Sequence, residues 1–222
     1  MTQLGLALAA ETPTRTRSER PPQSSHGLLS CYLARHLGPG ASIEAARLLD
    51  TYCDLGALSR AAADLTPSML GVSEDVAADL ALLQPIAAEV SRDDLPNQDA
   101  LTSFSVVINY LRAAMQHESV EQVRVLFLNR KNRLIADEIM ARGTVDHAPV
   151  YPREIARRAL ILNASAMIIA HNHPSGDSSP SQADITMTKT LVDILRPFEI
   201  VIHDHIVMAR NGHSSMKTLG LF

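Results

Sequence analysis

The sequence predicts an α/β domain, a mixed sheet flanked by helices, preceded by a small all-helical segment. Three observations predict it. Residues 28–90 read as helices, with apolar positions at helical spacing. From Val123 onward, short apolar runs of strand length alternate with segments that carry helix-start and helix-stop signals. One of those runs, Ala166 to Ala170, leads straight into His171-Asn172-His173, and the next helix opens near Asp184, so the clearest chemistry sits at a strand end.

A length of 222 residues allows one generous domain or two small ones. The composition is that of an ordinary globular protein, with 46% apolar and 20% charged residues and mean hydropathy +0.03. With no Trp and four Phe, the core must be aliphatic. A net charge of −4 gives no bulk attraction for nucleic acid. Cys31 and Cys53 fall in the apolar helical region and are expected as reduced, buried thiols.

In chain order, residues 1–27 are expected to be a disordered tail, since Pro, Ser, Thr, Arg and Gln dominate from Thr12 to Ser25. Leu4 to Ala10 is apolar but short, with no Lys or Arg before it, so no secretory signal is expected. No run is long enough to span a membrane, and a cytoplasmic location is the expectation. In the helical segment, residues 28–98, Ile43, Ala46, Leu48 and Leu49 mark one face and Val76, Ala77, Leu80, Leu82 and Leu83 another. Ser73 is a candidate N-cap, with Glu74 and Asp75 in the first turn. Ser91 to Gln98 reads as a linker.

The second domain, residues 99–222, is expected to begin with a helix from Ala100 to about His117, with Val106, Val107, Tyr110, Leu111 and Met115 on one side. Val123 to Leu128 and Leu134 to Met140 form a hairpin over the turn Asn129 to Asn132. Pro152 suits the first position of a helix over Arg153 to Leu162. The His-bearing strand follows, then a helix from Gln182 to Leu195. Ile200 to His203 and His205 to Met208 read as strands, with Asn211-Gly212 as a hairpin turn.

If the strand continues through the histidines, His171 and His173 point to the same side. A loop with Pro174, Gly176 and Pro180 can bring Asp184 beside them. Two His and one Asp, with a fourth position left for water, are the ligand set of a catalytic zinc. A second pair, His203 and His205, has no matching acid downstream, and both are read as strand-end residues or supports behind ligands. Asn172 alternates to the other face and is read as structural. Asp177 is read as an Asx turn holding the loop.

His171-x-His173-Pro174-x6-Ser181-x2-Asp184 matches the JAMM (MPN+) metalloprotease motif at every fixed position. Lys131-Asn132-Arg133-Leu134, Gly143-Thr144-Val145 and Val150-Tyr151-Pro152-Arg153-Glu154 further resemble the RadC family of bacterial JAMM proteins, closely from about Ser119 to Phe222. The resemblance implies a JAMM/MPN-like, cytidine-deaminase-like fold. It implies Zn2+ on His171, His173 and Asp184, and a peptide or isopeptide substrate. It also implies a Glu near the first strand as proton carrier, best met by Glu121, with Glu118 and Glu138 as rivals. Glu154 is read as a helix-dipole residue. By the same resemblance Ser181 donates to the developing oxyanion; its position also suits an N-cap.

In relatives the helical region resembles a helix-hairpin-helix DNA-binding module. Here that hairpin is degraded to Leu70-Gly71-Val72-Ser73, and from Leu28 to Ala100 four arginines face eleven acidic residues. Net −7 argues against direct contact with a phosphate backbone. The alternative reading is a DNA-repair accessory protein whose metal is structural. A third reading is an inactive MPN-like scaffold.

Overall fold

The computed structural model describes residues 24–93, 95, 100, 104–143 and 150–222. Residues 1–23, most of the linker and the start of the helix expected from Ala100 lie outside these. The chain divides into two compact units, one ending at Ala45 and one running from Ala46 to Phe222.

The first helix, α1 (Ser25–Leu37), opens three residues earlier than expected because the Ser24 hydroxyl accepts from Gly27 N at 3.1 Å, an N-cap bond. It buries Leu29 and Leu33. Cys31 lies about 200° around the helix from Leu29 and is exposed. Cys53 follows α2 (Ala41–Tyr52) at a left-handed φ of 71° and is also exposed. The expectation of buried thiols is therefore corrected, and neither residue is in a disulfide. In α2 the buried positions are Ala41, Ala45 and Leu48, which leaves Ile43 78% exposed, against expectation.

Four helices follow: α3 (Leu55–Asp64), α4 (Pro67–Leu70), α5 (Glu74–Ala81) and α6 (Leu83–Arg92). Ser73 caps α5 as expected, accepting from Val76 N at 3.4 Å. Val76, Ala77 and Leu80 are buried. Leu82 is exposed because α5 ends before it.

The rest of the chain builds a five-stranded mixed sheet. Its strands are β1 (Gln122–Leu128), β2 (Leu134–Arg142), β3 (Ala166–His173), β4 (Val201–Ala209) and β5 (Gly212–Ser215), in the order β2-β1-β3-β4-β5. β3 and β4 are parallel and the other pairings antiparallel. The crossover between β3 and β4 is α9 (Gln182–Leu195). On one face, α8 (Pro152–Ile161) and α9 cover Val123, Val125, Phe127, Met167 and Ile169 with Ile155, Ala159, Leu191 and Leu195. On the other, α7 (Phe104–Met115) covers Leu126, Leu128, Ile168, Ala170 and Met208 with Val107, Leu111 and Met115. β3 is buried on both sides, which is why its sequence is a continuous apolar run rather than an alternation. The core is aliphatic, as the composition required.

Four boundaries differ from expectation. β4 is one strand, not two, because it takes up an extra residue: Met167 pairs with Ile202 but Ile168 with Asp204. The buried Asp204 carboxylate accepts from His205 N at 2.7 Å, the Ser215 hydroxyl at 2.6 Å and Lys217 N at 3.1 Å. The hairpin turn is Arg210–Asn211, and Gly212 already pairs with Ala209. β2 extends to Arg142, and α7 ends at Met115, before His117.

A polar cluster ties α7 to the sheet on the side away from α9. The Arg124 Nη1 lies 2.7 and 2.8 Å from the Asp137 carboxylate oxygens and donates to the Tyr110 hydroxyl at 2.7 Å. Tyr110 donates to Asp137. Burial pushes the Tyr110 phenol up, so it stays protonated as the donor. Among the described residues, no helix is long and apolar enough to cross a membrane.

Candidate metal centre

β3 carries its strand conformation through both histidines because neighbours hold it on each side. Val123 of β1 pairs with His171, and Val207 and Ala209 of β4 pair with His171 and His173. Alternation then sends Ile169, His171 and His173 to the α8/α9 face and Asn172 to the opposite one. After β3 the chain turns back through Gly176, at φ +89°, a conformation that favours glycine. Asp177 makes an Asx turn, its Oδ1 accepting from Ser179 N at 2.9 Å. Its backbone carbonyl accepts from His173 Nδ1 at 2.7 Å.

Asp184 is delivered by the first turn of α9, and a capping box sets that turn. Asp184 N donates to the Ser181 hydroxyl at 3.2 Å, and Ser181 N donates to Asp184 Oδ2 at 2.7 Å. The Ser181 hydroxyl itself donates to Asp184 Oδ2 at 2.6 Å. Ser181 thus N-caps α9 and orients the carboxylate with one side chain.

The result is a convergence of three ligand atoms. His171 Nε2 lies 3.0 Å from His173 Nε2 and 3.4 Å from Asp184 Oδ1, and His173 Nε2 lies 3.8 Å from Asp184 Oδ2. One ligand atom from each residue falls within 4.8 Å of the others. Tetrahedral ligands about 2.0–2.2 Å from a zinc ion are roughly 3.3–3.6 Å apart, so the three distances bracket that spacing. His171 is buried, while His173 and Asp184 keep partial exposure. Burial raises the Asp184 pKa, but the His171 imidazole and the Ser181 hydrogen bonds outweigh it. The carboxyl is held well below its usual range and stays ionised.

The second histidine pair separates in space. His205 is fully buried behind His171, with its Nε2 2.8 Å from His171 Nδ1 and its own Nδ1 2.6 Å from the Thr188 hydroxyl. His203 Nε2 instead meets Asn132 Oδ1 at 2.7 Å. Thr188 was not singled out in the sequence. The available signal was its spacing of four from Asp184, which puts both on one face of α9.

Asn172 ties down the segment before β1. Its Oδ1 accepts from Gln122 N at 2.9 Å, and its Nδ2 donates to Val120 O at 3.1 Å and Glu118 O at 3.4 Å. Among the acidic candidates, Glu118 pairs with Arg60 at 2.9 Å and Arg142 at 3.1 Å. Glu138 is held by the Arg158 guanidinium at 2.5–3.0 Å. Glu154, in the first turn of α8, pairs with Arg157 at 3.0 Å. Glu121 is half-buried and has no side-chain hydrogen bond or ion pair among the described residues. Glu121 immediately precedes β1, two residues before the Val123–His171 pair at which the β1–β3 register ends.

Residues 101–221 match the family model described as a RadC-like JAB domain. The match takes in α7, the whole sheet, α8, α9 and all three converging residues.

Proposed function

The chain belongs to the RadC-like JAB domain family, and from that premise we propose that it is a zinc-dependent hydrolase of amide bonds in peptide or protein substrates. The observation that carries this reading is that one ligand atom each from His171, His173 and Asp184 lies within 4.8 Å of the others, with His173 and Asp184 partly exposed. His171, His173 and Asp184 would hold the metal. Zinc there would supply a Lewis acid for a carbonyl oxygen and acidify a water toward neutral pH.

The chain's own groups supply the rest. Glu121, two residues before the Val123–His171 pair and without another partner among the described residues, takes the proton of the attacking water and returns it to the leaving amine. The Ser181 hydroxyl, whose one proton lies on Asp184 Oδ2 here, would turn that proton to the oxyanion that forms on the carbonyl, a contribution of about 3 kcal/mol in comparable sites. Asn172 keeps the backbone on either side of Glu121 in place. The acidic helical segment supports a protein rather than a nucleic-acid partner.

The test is amine release from peptide and isopeptide libraries by the full zinc-loaded chain. Glu121→Gln is expected to lower turnover by about 10²–10⁴ while zinc content stays at the wild-type level. An unchanged rate would remove Glu121 from this role. A wild-type chain that holds zinc and cleaves nothing in either library would count against the hydrolase.

A further inference from the structure

We infer that Thr188 and His205 form a hydrogen-bond relay that sets the tautomer of His171, placing its proton on Nδ1 and its lone pair on Nε2. The inference rests on the metal reading above and adds positioning residues to it. A hydroxyl has one proton. That of Thr188 is given to the backbone carbonyl of Asp184, one turn earlier in α9, at 2.7 Å. Toward His205 Nδ1, at 2.6 Å, Thr188 can therefore only accept, so His205 carries its proton on Nδ1.

The His205 ring is fully buried, with the Thr188 hydroxyl on Nδ1 and His171 on Nε2; a neutral imidazole has one N–H, so with Nδ1 as the donor its Nε2 is bare. That nitrogen sits 2.8 Å from His171 Nδ1, which must be the donor. The lone pair of His171 is left on Nε2, the atom facing His173 and Asp184. The opposite tautomer would put a proton where a metal needs an electron pair.

The relay begins and ends on one residue. Asp184 anchors it through the backbone carbonyl and joins the ligand set through the carboxylate. The position of α9 thus determines both the third ligand and the protonation pattern of the first. His173 reaches the same state by a shorter route, since the Asp177 carbonyl can only accept from its Nδ1.

The test uses the full chain and zinc alone, with affinity read by competition against a chelating dye. His205→Leu removes the acceptor and is expected to weaken zinc binding 10–100-fold, the usual effect of losing a partner behind a ligand. His205→Gln, whose amide oxygen can accept from His171 Nδ1, is expected to recover most of that loss. A merely space-filling role predicts no such rescue. Thr188→Val keeps the side-chain shape and is expected to weaken binding in the same direction, so it carries the test if His205→Leu does not fold. In the metal-free wild type, ¹⁵N shifts should place the His171 proton on Nδ1. A proton on Nε2, or zinc affinity unmoved by both His205→Leu and Thr188→Val, overturns the relay alone. A wild-type chain that takes up no zinc overturns the metal reading and the relay together.

Discussion

Asp184→Ala is expected to purify without metal, where the wild type is expected to carry about one zinc per chain. Removal of a partner behind a ligand lowers affinity 10–100-fold, and removal of the ligand itself costs more. Two imidazoles would remain, and they sit 3.0 Å apart with no carboxylate to balance a dication. The substitution also removes one half of the capping box, because Ser181 N and the Ser181 hydroxyl both donate to Asp184 Oδ2. That loss should cost about 0.5–2 kcal/mol at the start of α9, too little to explain lost metal by unfolding. Asp184→Asn separates the two effects, since an amide oxygen can still accept from Ser181 N but carries no charge. Elemental analysis beside a thermal melt checks both. Full zinc content in Asp184→Ala would reject this residue as a ligand.

Asp137→Ala is expected to destabilise the fold by about 3–5 kcal/mol with zinc content unchanged. The Asp137 side chain is 2% exposed and takes the Arg124 guanidinium through both oxygens, with the Tyr110 hydroxyl as a further donor. Truncation would leave a guanidinium that is 14% exposed without its counter-charge. For a chain of this size the melting temperature should fall by roughly 6–20 °C. Replacing Arg124 and Asp137 together by apolar residues of similar volume should recover most of the loss, since the larger cost is the uncompensated charge. The cluster lies on the α7 face of the sheet and His171 and His173 on the α8/α9 face, which is why metal content should not respond. A loss below about 1 kcal/mol in denaturant unfolding would show that water compensates Arg124.

Much of the fold was legible because it depends on local periodicity. β1 and β3 read as strands from apolar runs, and α9 matches its expected bounds from Gln182 to Leu195. The convergence of His171, His173 and Asp184 was legible for the same reason. Strand alternation places two residues on one face, and a turn-rich loop of fixed length returns the chain to them. Exposure was less legible. Cys31, Ile43 and Leu82 lie in helical sequence, but which face of a helix is covered depends on what packs against it.

What the sequence by itself determined was the α/β class, the order of strands and helices along the chain, and which three residues share one face and one loop. All of these follow from side-chain spacing within about fifteen residues. Only the tertiary structure decided which acidic groups are already engaged. Glu118 and Glu138 meet Arg60, Arg142 and Arg158, 20 to 58 residues away in the chain. It also decided that β4 bulges into one strand around Asp204, whose partners Ser215 and Lys217 lie beyond the next hairpin. The contact of His205 with His171 likewise waits on the parallel register of β3 and β4, and that with Thr188 on the rotation of α9. A hydrogen bond needs its two atoms within about 3 Å, and for residues far apart in sequence only the folded chain supplies that distance.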